Sequence, residues 1–355
     1  MRRSNTLAVA LAARIIEREY FDFRTAQVNA EPDHGSAAVC CEVVNMRLCS
    51  EQQHTARIAF SAGHFSPSRL GEGGVRETKF MVKKAEDVKT VRPIMANRKT
   101  KLSDIDPRST CSFSGDKAAT VAIFAQLNAQ LVELQQVLYA EHKHKVLVVL
   151  QAMDTGGKDG VIRKVFSGMN PLGIHVASFK APTSTELDHD YLWRVHERVP
   201  AKGEMVVFNR SHYEDVLITR VEGWIDDRTA RRRFRQINNF EAMLVEEGTI
   251  ILKFFLHISK DEQKQRLQDR LDDDAKKWKF NPGDLVAREK WDDYQRVYEE
   301  AINATSSPHA PWYIVPADRN WVRDLYVCSV LVSTLRGLKM CYPDPPAGLD
   351  KLVIK

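Results

Sequence analysis

Residues 146–173 read VLVVLQAMDTGGKDGVIRKVFSGMNPLG, and the fold depends on how this stretch is parsed. Val146 to Leu150 is an unbroken aliphatic and β-branched run, the pattern of a strand buried on both faces of a parallel sheet. Gly156, Gly157 and Lys158 follow, and then Val161, Ile162, Val165 and Phe166 recur at helical spacing. Strand, glycine turn, lysine and helix, in that order, are the layout of a phosphate-binding loop. Glycines let backbone N–H groups turn inward onto an anion. The helix N-terminus contributes partial positive charge and the lysine a full one.

The match to G-x-x-x-x-G-K-[ST] is incomplete. Ala152 holds the first glycine position, and Asp159 stands where a hydroxyl would meet Mg²⁺. Asp154 lies inside the loop instead, and a carboxylate is a hard oxygen ligand suited to Mg²⁺. The loop is thus expected to bind a polyanion with the metal held from a carboxylate. The competing reading is an ordinary strand-to-helix turn with a solvated lysine.

Outward from this loop the chain alternates strands and helices. Ala118 to Ala140 carries Val121, Phe124, Leu127, Leu131, Leu134 and Leu138 on one helical stripe. Strands are expected at 176–179, 205–208, 250–258 and 312–315, and helices near 185–199, 228–247, 260–271 and 321–339. Such alternation predicts an α/β fold with a doubly wound parallel sheet. Residues 1–95 show no sustained apolar period and are expected to be a poorly ordered extension, with Met81 and Met95 as alternative starts. Residues 96–340 form the expected domain and 341–355 a tail. Met95 to Gly115 is basic and polar and is expected along the domain surface.

Composition narrows the functional classes. The 355 residues carry a formal charge of +5 and are 43% hydrophobic. That mild excess suits an anionic substrate and does not argue for nucleic acid. No apolar run is long enough for a bilayer. Cys40, Cys41, Cys49, Cys111, Cys328 and Cys341 are scattered without a C-x-x-C pair, as in a cytoplasmic protein with reduced thiols.

Ligands of a doubly wound sheet lie beyond the carboxyl ends of its strands. Polar clusters follow three of the expected strands: Asp154 with Lys158, then Asn209 to Asp215, then Asp318 with Arg319. Glu214 and Asp215 are candidate metal ligands, and Arg210 is a candidate bidentate phosphate clamp. The alternative is a helix start with Ser211 and Glu214 as a capping box. Lys260, Arg266 and Arg270 lie on a charged helix before a polar stretch with Trp278, Asn281, Pro282 and Gly283. Residues 259–290 therefore suggest a mobile lid; a solvated helix with a Glu262–Arg266 pair is the plainer reading. Arg228, Arg231, Arg232 and Arg235 share a face, as an anion track or as surface charge. No set for nucleophilic catalysis stands out. None is needed if the acceptor is a phosphate already ionised near neutrality.

AMDTGGKDG (152–160), SGMNPLG (167–173), SFKAPTSTELDHDYLWR (178–194), FNRSHYEDVLITRV (208–221), KFFLHISKDEQKQRL (253–267), KFNPGDL (279–285) and HAPWYIVPADRNW (309–321) together resemble the polyphosphate kinase type-2 family. The resemblance covers roughly 95–340. It implies a P-loop kinase three-layer α/β/α fold with a helical lid. The implied activity is reversible Mg²⁺-dependent phosphoryl transfer, with Mn²⁺ as substitute, between inorganic polyphosphate and AMP, ADP or ATP, guanine nucleotides being further candidates. The loop and DHDYLWR resemble the subgroup that accepts both AMP and ADP.

By the same resemblance Asp154 and Asp215 are metal ligands, and Asp154, Lys158, Arg210 and Asp215 carry catalysis. Gly156, Gly157, Asp159, Asn209, Glu214, Lys260, Arg266 and Arg270 bind substrate. The resemblance also implies a homo-oligomer, dimer or tetramer, with neither nucleic acid nor membrane as partner. Two other functions compete: an ATP-dependent nucleoside-monophosphate kinase of the same fold, and a non-catalytic nucleotide-binding module. The missing hydroxyl after Lys158 weighs against the first, and the retained Asp154, Lys158 and 209–215 cluster against the second.

Overall fold

The computed structural model describes residues 91, 94–110, 113, 115–349 and 352–354, all within the compact unit Val75–Lys355. The expectation for residues 1–95 falls outside the described residues except at Val91, Ile94 and Met95.

The elements run β1 (Ile94–Met95), α1 (Lys117–Glu141), β2 (Lys145–Ala152), α2 (Lys158–Val165), β3 (Ile174–Ser178), α3 (Ser184–Asp188), α4 (Trp193–His196), β4 (Met205–Asn209), α5 (Ile218–Val221), α6 (Asp227–Glu246), β5 (Thr249–His257), α7 (Lys260–Asp272), α8 (Gly283–Glu289), α9 (Trp291–Thr305), β6 (Trp312–Pro316) and α10 (Asn320–Gly337). A 3-10 turn, His212–Val216, follows β4.

One six-stranded sheet has the order β1-β6-β5-β2-β4-β3. All neighbours are parallel except β1, which pairs antiparallel with β6. The central strands β2 and β5 are buried along nearly their whole length, as their continuous apolar runs demand. α1, α2 and α10 pack together, while α5, α6 and α9 form a second group. Lys253 and Phe255 point from β5 into that second group, where they meet Glu241 of α6 and the ring of Tyr298. The sheet is therefore the middle of three layers.

Chain order fixes where a ligand belongs. From β2 the chain runs out to the edge at β3, returns to β4, and then crosses to the other side of β2 as β5. β2 is the switch point of the sheet, so the crevice beyond its carboxyl end is the default binding place.

Three local differences from the sequence expectation have physical causes. The helix expected over 185–199 is two short helices. Asp190 Oδ1 accepts from Leu192 N at 2.9 Å, and such side-chain turns compete with helix hydrogen bonds. Leu102 is only 3% exposed, so the lead-in 94–110 does not simply lie along the surface. Its anchors include Leu102 N donating to Glu299 Oε2 at 2.8 Å. α9 was hidden in a charged stretch, although Trp291, Tyr294, Val297, Tyr298, Ala301 and Ile302 recur at helical spacing and are buried.

Candidate active site

β2 ends at Ala152, and the chain turns through Asp154–Gly157 before α2 begins at Lys158. The turn is tight enough to set its residue types. Gly157 has φ +99°, a conformation few L residues adopt, and a Cβ there would lie 2.1 Å from Arg323 Nη1. A Cβ on Gly156 would already sit 2.5 Å from the Ala152 Cβ. Thr155 takes φ 61° without being glycine, a strain characteristic of functional turns.

Lys158 is folded back over the loop, where its Nζ donates to Ala152 O at 3.0 Å. Burial, and then the neighbouring Arg210 guanidinium, pull its pKa below the ordinary lysine range. Arg210, at φ 63°, leaves the end of β4. Its Nη2 donates to Asp154 Oδ1 at 2.9 Å, and its Nη1 lies 3.9 Å from Glu214 Oε2. Glu214, ahead of Asp154, raises the pKa of this guanidinium despite its burial. Asn209 Nδ2 donates to Asp159 Oδ1 at 3.0 Å, tying the end of β4 to the first turn of α2. Asp154, Arg210 and Glu214 thus meet at one crevice, with Lys158 beside them and the Asn209–Asp159 pair bridging β4 to α2. Its walls are Ala152, Met153, Asp154, Arg210, Glu214, Ile218, Tyr294 and Tyr298.

Asp215 lies beside two arginines. Its carboxylate stands between Arg194 Nη2 at 4.0 Å and Arg233 Nη1 at 3.8 Å. Burial raises its pKa against the pull of both arginines. A further carboxylate that feels the Asp154 charge is Asp284 of α8, which receives Arg270 Nη1 at 3.1 Å. Burial, then the Asp154 charge, push its carboxyl up to about 6. Among the described residues no three His, Cys, Asp or Glu side chains cluster closely enough to form a ready metal cage.

α7 lies against the loop. Arg266 Nη1 donates to Thr155 O at 3.1 Å, and its Nε meets Glu262 Oε1 at 2.8 Å. The Glu262 pair is thus present in a side chain that also reaches the loop. Gln263 Nε2 adds a bond to Asp154 O at 3.2 Å. Lys260 is exposed; its carbonyl, not its ammonium, is engaged, accepting from Arg288 Nη1 at 2.5 Å. Arg228, Arg231, Arg232 and Arg235 are exposed on α6, whereas Arg233 between them turns in to Asp215 and over the Tyr191 ring at 4.8 Å. The expected Ser211–Glu214 capping box does not form: Ser211 Oγ accepts from Tyr213 N at 3.2 Å, Glu214 N donates to Ser211 O, and the Glu214 carboxylate faces Arg210.

Sequence reasoning assigned no role to Arg194, Arg233, Asp284, Tyr294, Tyr298 or Arg323. Arg194 sits inside DHDYLWR, where a charge amid aromatic residues was the available signal. The tyrosines carried none, because α9 itself went unread.

Residues 114–341 match the family model described as Polyphosphate kinase 2 (PPK2). The chain is 58% identical over 254 residues to the AMP/ADP-polyphosphate phosphotransferase of Meiothermus ruber, covering 72% of this chain and 95% of that protein. It is 48% identical over 237 residues to the ADP-polyphosphate phosphotransferase of Rhodopseudomonas palustris, covering 63% of this chain and 82% of that protein. The crystal structure of polyphosphate kinase 2 from Arthrobacter aurescens superimposes with a TM-score of 0.70 at 42% identity, over 74% of this chain and 97% of that one.

Proposed function

Since this chain belongs to the polyphosphate kinase 2 family, we propose that it transfers a phosphoryl group reversibly between inorganic polyphosphate and a nucleoside mono- or diphosphate at the crevice beyond β2. The observation that carries this reading is the meeting of Lys158, Arg210 and Asp154 at the switch point of the sheet. Two cations and a hard carboxylate there suit a chain of linked phosphates.

The acceptor phosphate is already ionised near neutrality, its second pKa being about 6, so no general base is required. The work left to the protein is alignment and charge neutralisation. The N–H of Gly157 and the start of α2 offer donors to the phosphate run, while the Gly156 N–H closes the turn onto Met153 O at 2.9 Å. Lys158 leaves Ala152 O to meet phosphate oxygens, and Arg210 exchanges Asp154 for the transferring group. Arg266 and Arg270, held by Thr155 O and Asp284, close the crevice from the lid side.

The donor chemistry fits a divalent metal at Asp154, whose carboxylate is now balanced by Arg210 and repelled by Asp284. Such an ion would neutralise the charge that develops on the phosphates. Asp215, now beside Arg194 and Arg233, would be the second carboxylate to hold it. Mg²⁺ is the proposed ion, with Mn²⁺ as substitute.

The test is one assay of purified protein with Mg²⁺, polyphosphate and either ADP or AMP, following the nucleotide formed. Product with both acceptors is expected. Product from ATP plus AMP, with none from polyphosphate, replaces this reading with an ATP-dependent monophosphate kinase.

A further inference from the structure

Ala152 O accepts from two side chains, Lys158 Nζ at 3.0 Å and the Tyr298 hydroxyl at 3.0 Å. Sheet geometry explains why these two converge there. The β2–β4 register ends at Leu150↔Asn209, and Leu150 O accepts from Arg210 N. Successive carbonyls of a strand point to opposite sides, so the Ala152 carbonyl points the same way as that of Leu150. It does so past the last paired residue of β4, and no ladder donor meets it. Ala152 is 4% exposed and Tyr298 5%, and a carbonyl this buried is costly to leave unpaired. Burial, with Glu214 and Asp154 behind it, holds the Tyr298 phenol far above its ordinary range, so the hydroxyl remains a donor.

We propose that Tyr298 is a positioning residue for Lys158: it keeps the buried Ala152 carbonyl satisfied when the lysine ammonium moves off it and onto a phosphate oxygen. In the free protein either donor suffices. In the phosphate-bound state only Tyr298 remains. The cost of losing its hydroxyl therefore falls on binding and not on the resting fold. The binding half of this proposal rests on the function proposed above; the shared carbonyl does not.

The test uses the full chain as wild type, Tyr298→Phe, Lys158→Ala and the double variant. Melting temperature is measured without ligand, and inorganic polyphosphate affinity by titration. Phenylalanine keeps the ring contact with Phe255, whose centroid lies 4.7 Å away, so folding is preserved. Tyr298→Phe is expected to melt close to wild type yet bind polyphosphate about tenfold more weakly, the scale of one unpaired buried acceptor. In the Lys158→Ala background the pattern inverts: Tyr298→Phe lowers the melting temperature and leaves polyphosphate affinity unchanged.

Equal affinity losses in both backgrounds mean that Tyr298 touches phosphate itself, and overturn the proposal. Additive melting shifts overturn it too, since the donors then do not share an acceptor. Wild-type protein that binds no polyphosphate defeats the proposed function instead, and the ligand-free melting cycle still decides whether the carbonyl is shared.

Discussion

On the proposed function, Lys158 supplies the crevice with an ammonium that is half-buried and leans on a backbone carbonyl. Replacing it with alanine is expected to lower kcat by ~10²-fold or more, as for loss of a preorganised charge donor; near-normal turnover would place transfer elsewhere. Asp284 makes a second residue-scale prediction. Its carboxyl takes up a proton at about 6 in the folded chain, against 3.8 for the ordinary group. Between those values the folded state binds more protons than the unfolded one, so stability falls as pH rises through that window. The cost is absent below it and complete above it. Asp284→Asn keeps an acceptor for Arg270 and is expected to flatten this fall in denaturation midpoints of the free protein. Parallel midpoint-against-pH curves for the two proteins would sink the assignment.

Between elements, a buried ion pair lies where β5 meets α6. Lys253 is fully buried, and its Nζ contacts Glu241 Oε2 at 2.5 Å, Tyr213 OH at 3.0 Å and Thr305 O at 2.9 Å. Tyr213 OH in turn donates to Glu241 Oε1 at 2.8 Å. This network pins the 3-10 turn that carries Glu214 and Asp215. Removing one member leaves a buried charge uncompensated, at a cost of about 3–5 kcal/mol. Glu241→Ala is expected to lose stability on that scale in denaturant, while Glu241→Leu combined with Lys253→Met recovers most of it. A double variant no better than the single would show that the pair does more than compensate itself. The β5 stretch TIILKFFLH conceals this: its lysine looks like an interruption until α6 supplies the carboxylate.

For the whole molecule, the boundary of the domain is the open prediction. The family match begins at residue 114, yet β1 adds an edge to the sheet at Ile94–Met95 and Leu102 is buried. Deleting residues 1–90 is expected to leave turnover intact, whereas deleting through residue 113 lowers the melting temperature by removing that edge. An inactive 1–90 deletion would assign the extension a part in folding or catalysis. Among the described residues no helix is long and apolar enough to cross a membrane, in line with the hydropathy of the chain.

Local pattern was enough for the parallel sheet, its main helices and the loop with Asp154 and Lys158. Continuous apolar strands, a glycine turn and a 3–4 residue period are written in neighbours along the chain. The same holds for Asn209, Arg210 and Glu214, which follow a strand whose carboxyl end must face the crevice. What sequence left undecided are pairings across long separations. Asp215 faces Arg194 and Arg233, Asp284 takes Arg270, and Tyr298 reaches Ala152 from 146 residues away. A carboxylate takes the partner that packing brings within reach, and only the folded layers fix which cation or metal that is.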